Sequence, residues 1–218
     1  MEKIIRTGIV VVSPQNNPAI MTPKFLMEYE ISPKNWEVLS IVESSLLAQI
    51  VFKNGYSILS ESGKVVFQFD LKADEEQLSI QDCKIEEIAI NYLNQISKVK
   101  YNNVGINYVL ITDECKDAFS KLFSPKIEEL SNISPLQVKF QETYSDIADQ
   151  NLVIVPGKYQ PGEDMRPCLE FRGNLHFNIN EPSIEKSWEK TKEIIASWTS
   201  YVEPFSTMVN KFKDVLND

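Results

Sequence analysis

Several residue types are scarce in this 218-residue sequence, and each scarcity excludes a class of protein. The sequence contains three cysteines with no Cys-x-x-Cys pair, and a single histidine. An odd number of widely spaced cysteines does not form a disulfide framework or a thiolate zinc site, and one histidine does not make a histidine-rich metal centre. We therefore expect neither a metal ion nor another cofactor. The cysteines are interpreted as small, buried apolar side chains.

Long apolar runs are missing as well. No apolar stretch approaches the ~18 residues that a membrane-spanning helix needs, so a membrane is not an expected partner. The run GIVVV at residues 8–12 is too short for the apolar part of a secretory leader, and no small-residue cleavage site accompanies it. We predict a first β-strand over residues 4–13 and a cytoplasmic protein.

Positive charge is also in short supply. The chain has 22 lysines and arginines against 31 aspartates and glutamates, which gives a net charge of −9 at pH 7. A nucleic-acid binder needs a basic stripe that displaces counterions from phosphates, whereas the lysines here are scattered. Acidic pairs such as Glu86-Glu87 and Glu128-Glu129 are interpreted as solvated surface. Nucleic acid is therefore not an expected partner.

The clearest local pattern is a hairpin. Asn54-Gly55 separates β-rich runs at 46–53 and 56–60, and a second turn at 61–64 leads into the segment VVFQFDL. Asn-Gly favours a type I′ turn, in which both central residues have positive φ. Three consecutive antiparallel strands are predicted here.

A helical period of 3.6 replaces the period of two at residues 85–96. Asp82 is the predicted N-cap, and Glu86 and Glu87 lie near the positive end of the helix dipole. One wide apolar stripe is formed by Ile85, Ile88, Ala89, Tyr92, Leu93 and Ile96. We predict an amphipathic helix in the middle of the chain.

Shorter sequence patterns predict the remaining elements. Residues 32–44 fit neither period and allow a helical turn starting near Ser32 or Pro33. A short helix capped by Thr112 or Asp113 is predicted, with an apolar face formed by Ala118, Phe119 and Leu122. Further strands are predicted at about 25–31, 100–112, 136–144, 151–156 and 168–180.

This order of elements predicts an α+β protein. Its sheet would be mainly antiparallel and built from hairpins and meanders, with the mid-chain helix and a long, proline-interrupted C-terminal helical segment packed on it. We predict a single domain over residues 1–218, in which a subdomain boundary could lie within 124–136. A structural duplication, a meander plus a helix occurring twice, is compatible with the order but no sequence repeat supports it.

Residues 156–176 hold the candidate ligand site. Alternation from Cys168 onwards predicts a half-buried strand with one polar face that carries Arg172 and His176. A small anionic ligand could be bound by this strand and the preceding loop, through Lys158, Tyr159, Arg166, Arg172 and His176. The competing interpretation is an exposed polar ladder with no function.

The C-terminal segment carries an apolar 4–3 seam. Pro204 interrupts it, so we expect two helices that separate at residues 201–204. They either pack on the protein's own sheet or form part of a subunit interface. The residues predicted for that interface are Trp188, Ile195, Trp198, Val202 and Phe205.

No catalytic constellation emerges, so we favour a non-enzymatic protein-interaction or assembly module that self-associates through the C-terminal helices to form a homodimer. A binding protein for a small anionic ligand is the alternative. A carboxylate-dependent enzyme that uses Glu170 with Asp164 or Glu163 is the third hypothesis. Whether the protein has any enzymatic activity stays open.

Overall fold

One antiparallel sheet of nine strands forms the centre of the fold. The structure, a computed structural model, describes residues 2–71, 80, 83–114, 137–146, 148–159 and 166–217. In chain order the strands are β1 (Glu2–Val12), β2 (Val38–Glu43), β3 (Leu47–Phe52), β4 (Tyr56–Glu61), β5 (Lys64–Asp70), β6 (Asn103–Thr112), β7 (Val138–Ser145), β8 (Ala148–Tyr159) and β9 (Arg166–Asn178). Their order across the sheet is β2-β3-β4-β5-β1-β6-β9-β8-β7. The predicted α+β class is confirmed.

Helices cover one face of this sheet. They are α1 (Pro23–Glu28), α2 (Ile85–Gln95), α3 (Ile184–Ala196) and α4 (Val202–Asn217), with short 3-10 helices at Pro18–Ile20 and Trp198–Tyr201. Alternate strand residues such as Phe67 and Phe171 are buried under them, at 1% and 0% exposure. The other face carries the intervening side chains and is called here the helix-free face, because the helices of the described residues pack on the first face. Among the described helices, none is long and apolar enough to cross a membrane.

Helix α1 replaces the strand predicted at 25–31, and that prediction was wrong. Thr22 is its N-cap, because the Thr22 hydroxyl accepts a hydrogen bond of 3.1 Å from the backbone N–H of Phe25. Pro23 occupies the first turn, where its missing N–H costs nothing. The Thr-Pro pair is therefore a helix start, and it outweighs the apolar run that follows.

The mid-chain amphipathic helix is confirmed as α2, with its stripe from Ile85 to Leu93 buried. Its N-cap position is Lys84, which makes no side-chain cap hydrogen bond. The predicted cap, Asp82, lies outside the described residues, as does the predicted short helix with Ala118, Phe119 and Leu122.

The hairpin between β3 and β4 is confirmed, but its predicted turn type is wrong. Only Gly55 has a positive φ, of 89°, whereas Asn54 does not. The Gly55 N–H donates to the carbonyl of Phe52 at 3.2 Å. This is the arrangement of a type I turn followed by a left-handed glycine, which also fits the right-handed twist of the strands.

The C-terminal segment consists of two helices packed on the sheet. A 3-10 helix separates them, and Pro204 lies in the first turn of α4, where a backbone N–H has no helical partner to lose. The hydroxyl of Tyr108 on β6 donates to the backbone carbonyl of Trp198. The Phe205 ring lies 5.4 Å from the Tyr108 ring, so α4 rests directly on the centre of the sheet.

The chain order repeats itself around the central pair of strands. Strand β1 is followed by a meander that returns to it through β5 and then by α2, while β6 is followed by a meander that returns through β9 and then by α3. Strands β1 and β6 pair with each other, so the two halves lie on either side of that pair. Among the described elements, strand β2 and helices α1 and α4 have no counterpart in the other half. The predicted subdomain boundary within 124–136 lies outside the described residues, and the single domain stays a prediction.

Candidate functional site

The five residues predicted to bind an anion are spread along one hairpin. Tyr159 on β8 pairs with Arg166 on β9, at one end of that hairpin. His176 lies ten positions after Arg166 along β9, a distance of about 33 Å at ~3.3 Å per residue. A small ligand does not bridge that distance. The structure therefore does not bring Lys158, Tyr159, Arg166, Arg172 and His176 together.

Arg172 and His176 already have partners on the helix-free face. The Arg172 Nε atom donates to Glu170 Oε1 at 2.6 Å, and the His176 ring nitrogen lies 3.2 Å from the side-chain amide of Asn103. These contacts match the polar ladder of the competing interpretation. For the enzyme hypothesis, Glu170 is engaged by Arg172, while Asp164 and Glu163 lie outside the described residues. Within the described ranges no three His, Cys, Asp or Glu side chains converge on a possible metal site.

The residues predicted for a C-terminal interface pack mainly inside the chain. Ile195, Trp198 and Phe205 are 0%, 1% and 0% exposed. Trp188 is half-buried and donates its indole N–H to the carbonyl of Leu93 on α2 at 3.0 Å. Those three buried side chains are not available to a second chain. Self-association through the rest of this segment, including Trp188 and Val202, stays a prediction.

An exposed apolar surface lies instead on strand β2, at one edge of the sheet. Leu39, Ile41 and Val42 are 63%, 47% and 51% exposed, and Leu46 in the following turn is 72% exposed. The strand reads VLSIVE and contains neither a basic residue nor a proline. Natural edge strands usually carry such residues because an open row of backbone N–H and C=O groups invites pairing with another chain. We call this surface the β2 edge.

Among the described residues, ion pairing near the β2 edge is found at one end. Lys53 Nζ lies 2.5 Å from Glu37 Oε2, immediately before the strand. The hydrogen bond and the charge of Lys53 together lower the pKa of the Glu37 carboxyl. Glu43, at the opposite end, is the one charged residue in the strand itself.

Sequence reasoning missed the β2 edge because residues 32–44 fit neither period. The strand is only six residues long, and a register shift between Val38 and Ser40 interrupts its pairing with β3. One signal was nevertheless present. Leu39, Ile41 and Val42 put apolar side chains on both faces of a short segment, which is unusual for a solvated loop.

A polar cleft of about 560 Å³ lies between the segment Tyr29–Lys34 and helix α2. Two unusual residues line it. Glu30 has a φ of 53°, the one positive value among the described non-glycine residues. The Ser32 hydroxyl is buried and has no hydrogen-bond partner in the described part of the chain. Strained backbone and unpaired buried polar atoms are common at functional sites.

Comparison with known proteins assigns no function to these surfaces: no protein-family model and no curated relative matches the chain.

Proposed function

We propose that this protein is a non-enzymatic interaction module that recognises a protein partner by β-strand pairing along the β2 edge. The observation that carries the proposal is the exposure of Leu39, Ile41 and Val42 on an edge strand without a basic residue or proline. In strand addition, main-chain hydrogen bonds give affinity and alternate side chains give specificity. The β2 edge offers both, because none of the described strands lies beside its outer backbone groups.

The apolar side chains of the β2 edge contribute little to the fold itself. Leu39, Ile41 and Val42 belong to neither the buried core nor the side chains packed against it, whereas their neighbour Val38 is packed there. Fully burying an exposed Leu, Ile or Val stabilises by about 1.5–3 kcal/mol. A partner strand that covers them would therefore gain free energy that folding of the single chain leaves unused.

We also propose that the module works in the cytoplasm. Cys83 and Cys168 are free thiols, which is usual in a reducing compartment. Burial raises the pKa of both thiols, so they are poor nucleophiles, in line with a module that carries out no thiol chemistry.

Native co-purification tests the proposal. Tagged wild-type protein is compared with Ile41→Lys on the β2 edge and with Gln141→Lys on β7, the opposite edge strand. Both positions are exposed, so both variants should fold. We expect a partner chain, of this protein or another, to be retained by the wild type and by Gln141→Lys, and to be lost from Ile41→Lys. Equal retention by all three proteins would show that binding does not use the β2 edge.

The alternative function, binding of a small ligand, is supported by the cleft beside α2 and not by residues 156–176. Its charged lining is balanced, with Lys34 and Lys84 against Glu30 and Glu87, so it favours a neutral or zwitterionic polar ligand over an anion. Asn91 lines the cleft too, and its side-chain amide donates to the carbonyl of Glu30 at 3.1 Å.

Ligand-observed NMR with separate mixtures of neutral and anionic metabolites tests this alternative. We expect a neutral compound to bind the wild type and to lose binding in Asn91→Ala. If anions bind instead, and Arg172→Gln abolishes that binding, the ligand site lies on hairpin β8–β9 and not in the cleft.

A further inference from the structure

We propose that the occupant of the β2 edge is a second copy of this chain, paired antiparallel with it about a two-fold axis at Ile41. The inference rests on the proposed function, and it names the partner and the register. Two nine-stranded sheets would then join into one continuous sheet. An antiparallel strand pair is its own image under a two-fold axis, so one surface serves both copies.

The backbone of β2 decides which residues can pair outward. The Ser44 N–H donates to the carbonyl of Leu47 at 2.8 Å, so the backbone groups of Ser44 point towards β3. Backbone direction alternates along an antiparallel strand. Val42 and Ser40 therefore also direct their N–H and C=O groups to β3, while those of Ile41 and Glu43 point to the open edge.

This alternation limits the possible registers. Residues that face each other across an antiparallel pair must both turn their backbone groups towards the partner, or both away from it. A register that places Ser40 opposite Ile41 of the second copy breaks this rule. The two-fold axis must therefore pass through a residue and not between two residues.

Side chains then select among the remaining registers. With the axis at Ile41, Ile41 of one copy faces Ile41 of the other, and Ser40 faces Val42. These three residues lie in the regular part of the strand. An axis at Ser40 needs Leu39 in a regular pair, but the ladder shifts register between Val38 and Ser40. An axis at Val42 places the apolar Ile41 opposite the charged Glu43 directly beside the axis, whereas an axis at Ile41 moves its apolar–charged pair, Leu39 with Glu43, to the ends of the strand pair. Ile41 is the best centre.

The sheet faces on which the side chains lie and the positions of the charged residues are both compatible with an axis at Ile41. Ser40 and Val42 pair with Val51 and Gln49 of β3, so both point to the helix-free face and meet there across the axis. Glu43 faces Leu39 of the second copy, and Glu37 is already held by Lys53. No like charges stand directly opposite each other.

The size of the contact sets its strength. A six-residue strand is about 20 Å long, so pairing along it buries much less than the ~1,600 Å² of a standard interface. Each chain also carries a net charge of −9. We therefore expect a weak dimer that forms with rising protein concentration and is strengthened by salt, which screens the repulsion between the two copies.

Disulfide trapping tests the register, because residues whose Cα atoms are more than ~7 Å apart do not cross-link. Single-cysteine additions are made at positions 40, 41 and 42, with the native cysteines kept, and at Gln141 of β7 as the matched control. We expect Ile41→Cys to form a covalent dimer on mild oxidation. Ser40→Cys and Val42→Cys should each stay monomeric alone and cross-link when mixed. Gln141→Cys should not cross-link.

Light scattering of the wild type and of Ile41→Lys accompanies the trapping. A concentration-dependent dimer whose Kd rises about tenfold or more in Ile41→Lys supports the pairing, since a buried charge would then face its own copy. A dimer with another cross-linking pattern overturns the register and leaves the proposed function standing. A wild type that stays monomeric at every concentration overturns the second copy as partner, and the co-purification experiment then decides separately whether the β2 edge binds another protein.

Discussion

The two edge strands of the sheet, β7 and β2, differ in how their apolar side chains are packed. Strand β7 carries charged residues, Lys139 and Glu142, and its exposed aromatic rings have partners. The ring of Phe140 lies 5.4 Å from that of Phe212 on α4, and the ring of Tyr144 lies 6.3 Å from that of Tyr201. The apolar side chains of this edge are thus packed against the C-terminal helical segment.

Strand β2 has a single charged residue, Glu43 at its end, and no aromatic residue. Its exposed Leu39, Ile41 and Val42 lie outside the described core and the side chains packed against it, and its first residue, Val38, is its one described contribution to that interior. The difference follows from the unmatched elements of the two halves. Among the described elements, the C-terminal half has an additional helix, α4, that contacts edge strand β7 through Phe212, whereas the N-terminal half has the additional strand β2 and the short helix α1.

This contrast distinguishes apolar residues that pack in the core and stabilise the fold from apolar residues that stay exposed and contribute little to it. Helix α4 buries Phe205, Met208, Val209 and Phe212 against the sheet. Strand β2 buries almost nothing. Composition alone does not distinguish the two sets, because both read as apolar residues in short segments. Position in the sheet distinguishes them.

The largest expected effect compares one residue from each set. Phe205→Ala removes a ring that is 0% exposed and lies over the centre of the sheet, so the free energy of unfolding should fall by about 3–5 kcal/mol. Ile41→Ala should change it by less than about 0.5 kcal/mol, because Ile41 is outside the core. Urea unfolding at low protein concentration, where β2 is unpaired, measures both. Similar losses in the two variants would mean that β2 supports the fold.

The second prediction concerns the glycine beneath that ring. Gly173 on β9 lies under Phe205, and a Cβ at this position would come within 2.5 Å of the ring Cε2 atom. Gly173→Ala should therefore lower the free energy of unfolding by about 1–3 kcal/mol through overpacking. Phe205→Leu serves as the partner variant in a double-mutant cycle.

In that cycle, the smaller Leu side chain should relieve the clash, so the double variant should lose less stability than the sum of the two single variants. Additive losses would show that Gly173 and Phe205 do not meet. Among the described residues the β2 edge offers no equivalent pair, since its exposed side chains lie outside the packed core.

Much of the fold could be predicted from sequence because it depends on local periodicity. Four features each leave a signal within one segment, namely helix α2, the meander of β3 to β5, the alternation along β9 and the helix break before Pro204. Helix α1 was mistaken for a strand because its signal is a two-residue cap, Thr22-Pro23, in front of a short apolar run. Strand β2 was missed because its register shift breaks the alternation.

The candidate site was harder to predict for a different reason. Period two shows that Arg172 and His176 share a face, but it does not show how far Arg166 and Lys158 lie from them. Convergence depends on which strands are neighbours, and edge exposure depends on which strand is last. Both are properties of the sheet order, which no single segment of sequence contains.

Alkaline pH probes whether the two halves unfold together. Burial raises the pKa of Tyr56 and Tyr92 in the N-terminal half and of Tyr101 and Tyr108 in the C-terminal half. Above about pH 10 the unfolded chain releases these protons while the folded chain keeps them, so the free energy of unfolding falls as pH rises. One cooperative step in tyrosinate absorbance is expected for a single domain, and two separated steps would indicate independent halves.

Tyr108→Phe is the control for that titration. It removes one titrating hydroxyl together with its hydrogen bond to Trp198. The variant should be less stable at neutral pH, because the Trp198 carbonyl loses its buried donor. Its stability should then decline less steeply with alkaline pH than that of the wild type, since one fewer phenol is ionised on unfolding.

The smallest expected effect compares two buried serines. The Ser32 hydroxyl, in the cleft beside α2, has no partner among the described residues. The hydroxyl of Ser187 on α3 donates to the carbonyl of Ile184 at 2.9 Å and accepts from the Tyr101 N–H at 3.3 Å. Ser187→Ala should cost about 1 kcal/mol, and Ser32→Ala should be neutral or stabilise by up to about 1 kcal/mol. A stabilising Ser32→Ala would mean that the N-terminal half keeps an unfavourable group beside the polar cleft, as a ligand-binding role there requires. An equal loss in both variants, measured by thermal unfolding, would show that the Ser32 hydroxyl is satisfied by water and would remove that support for the cleft.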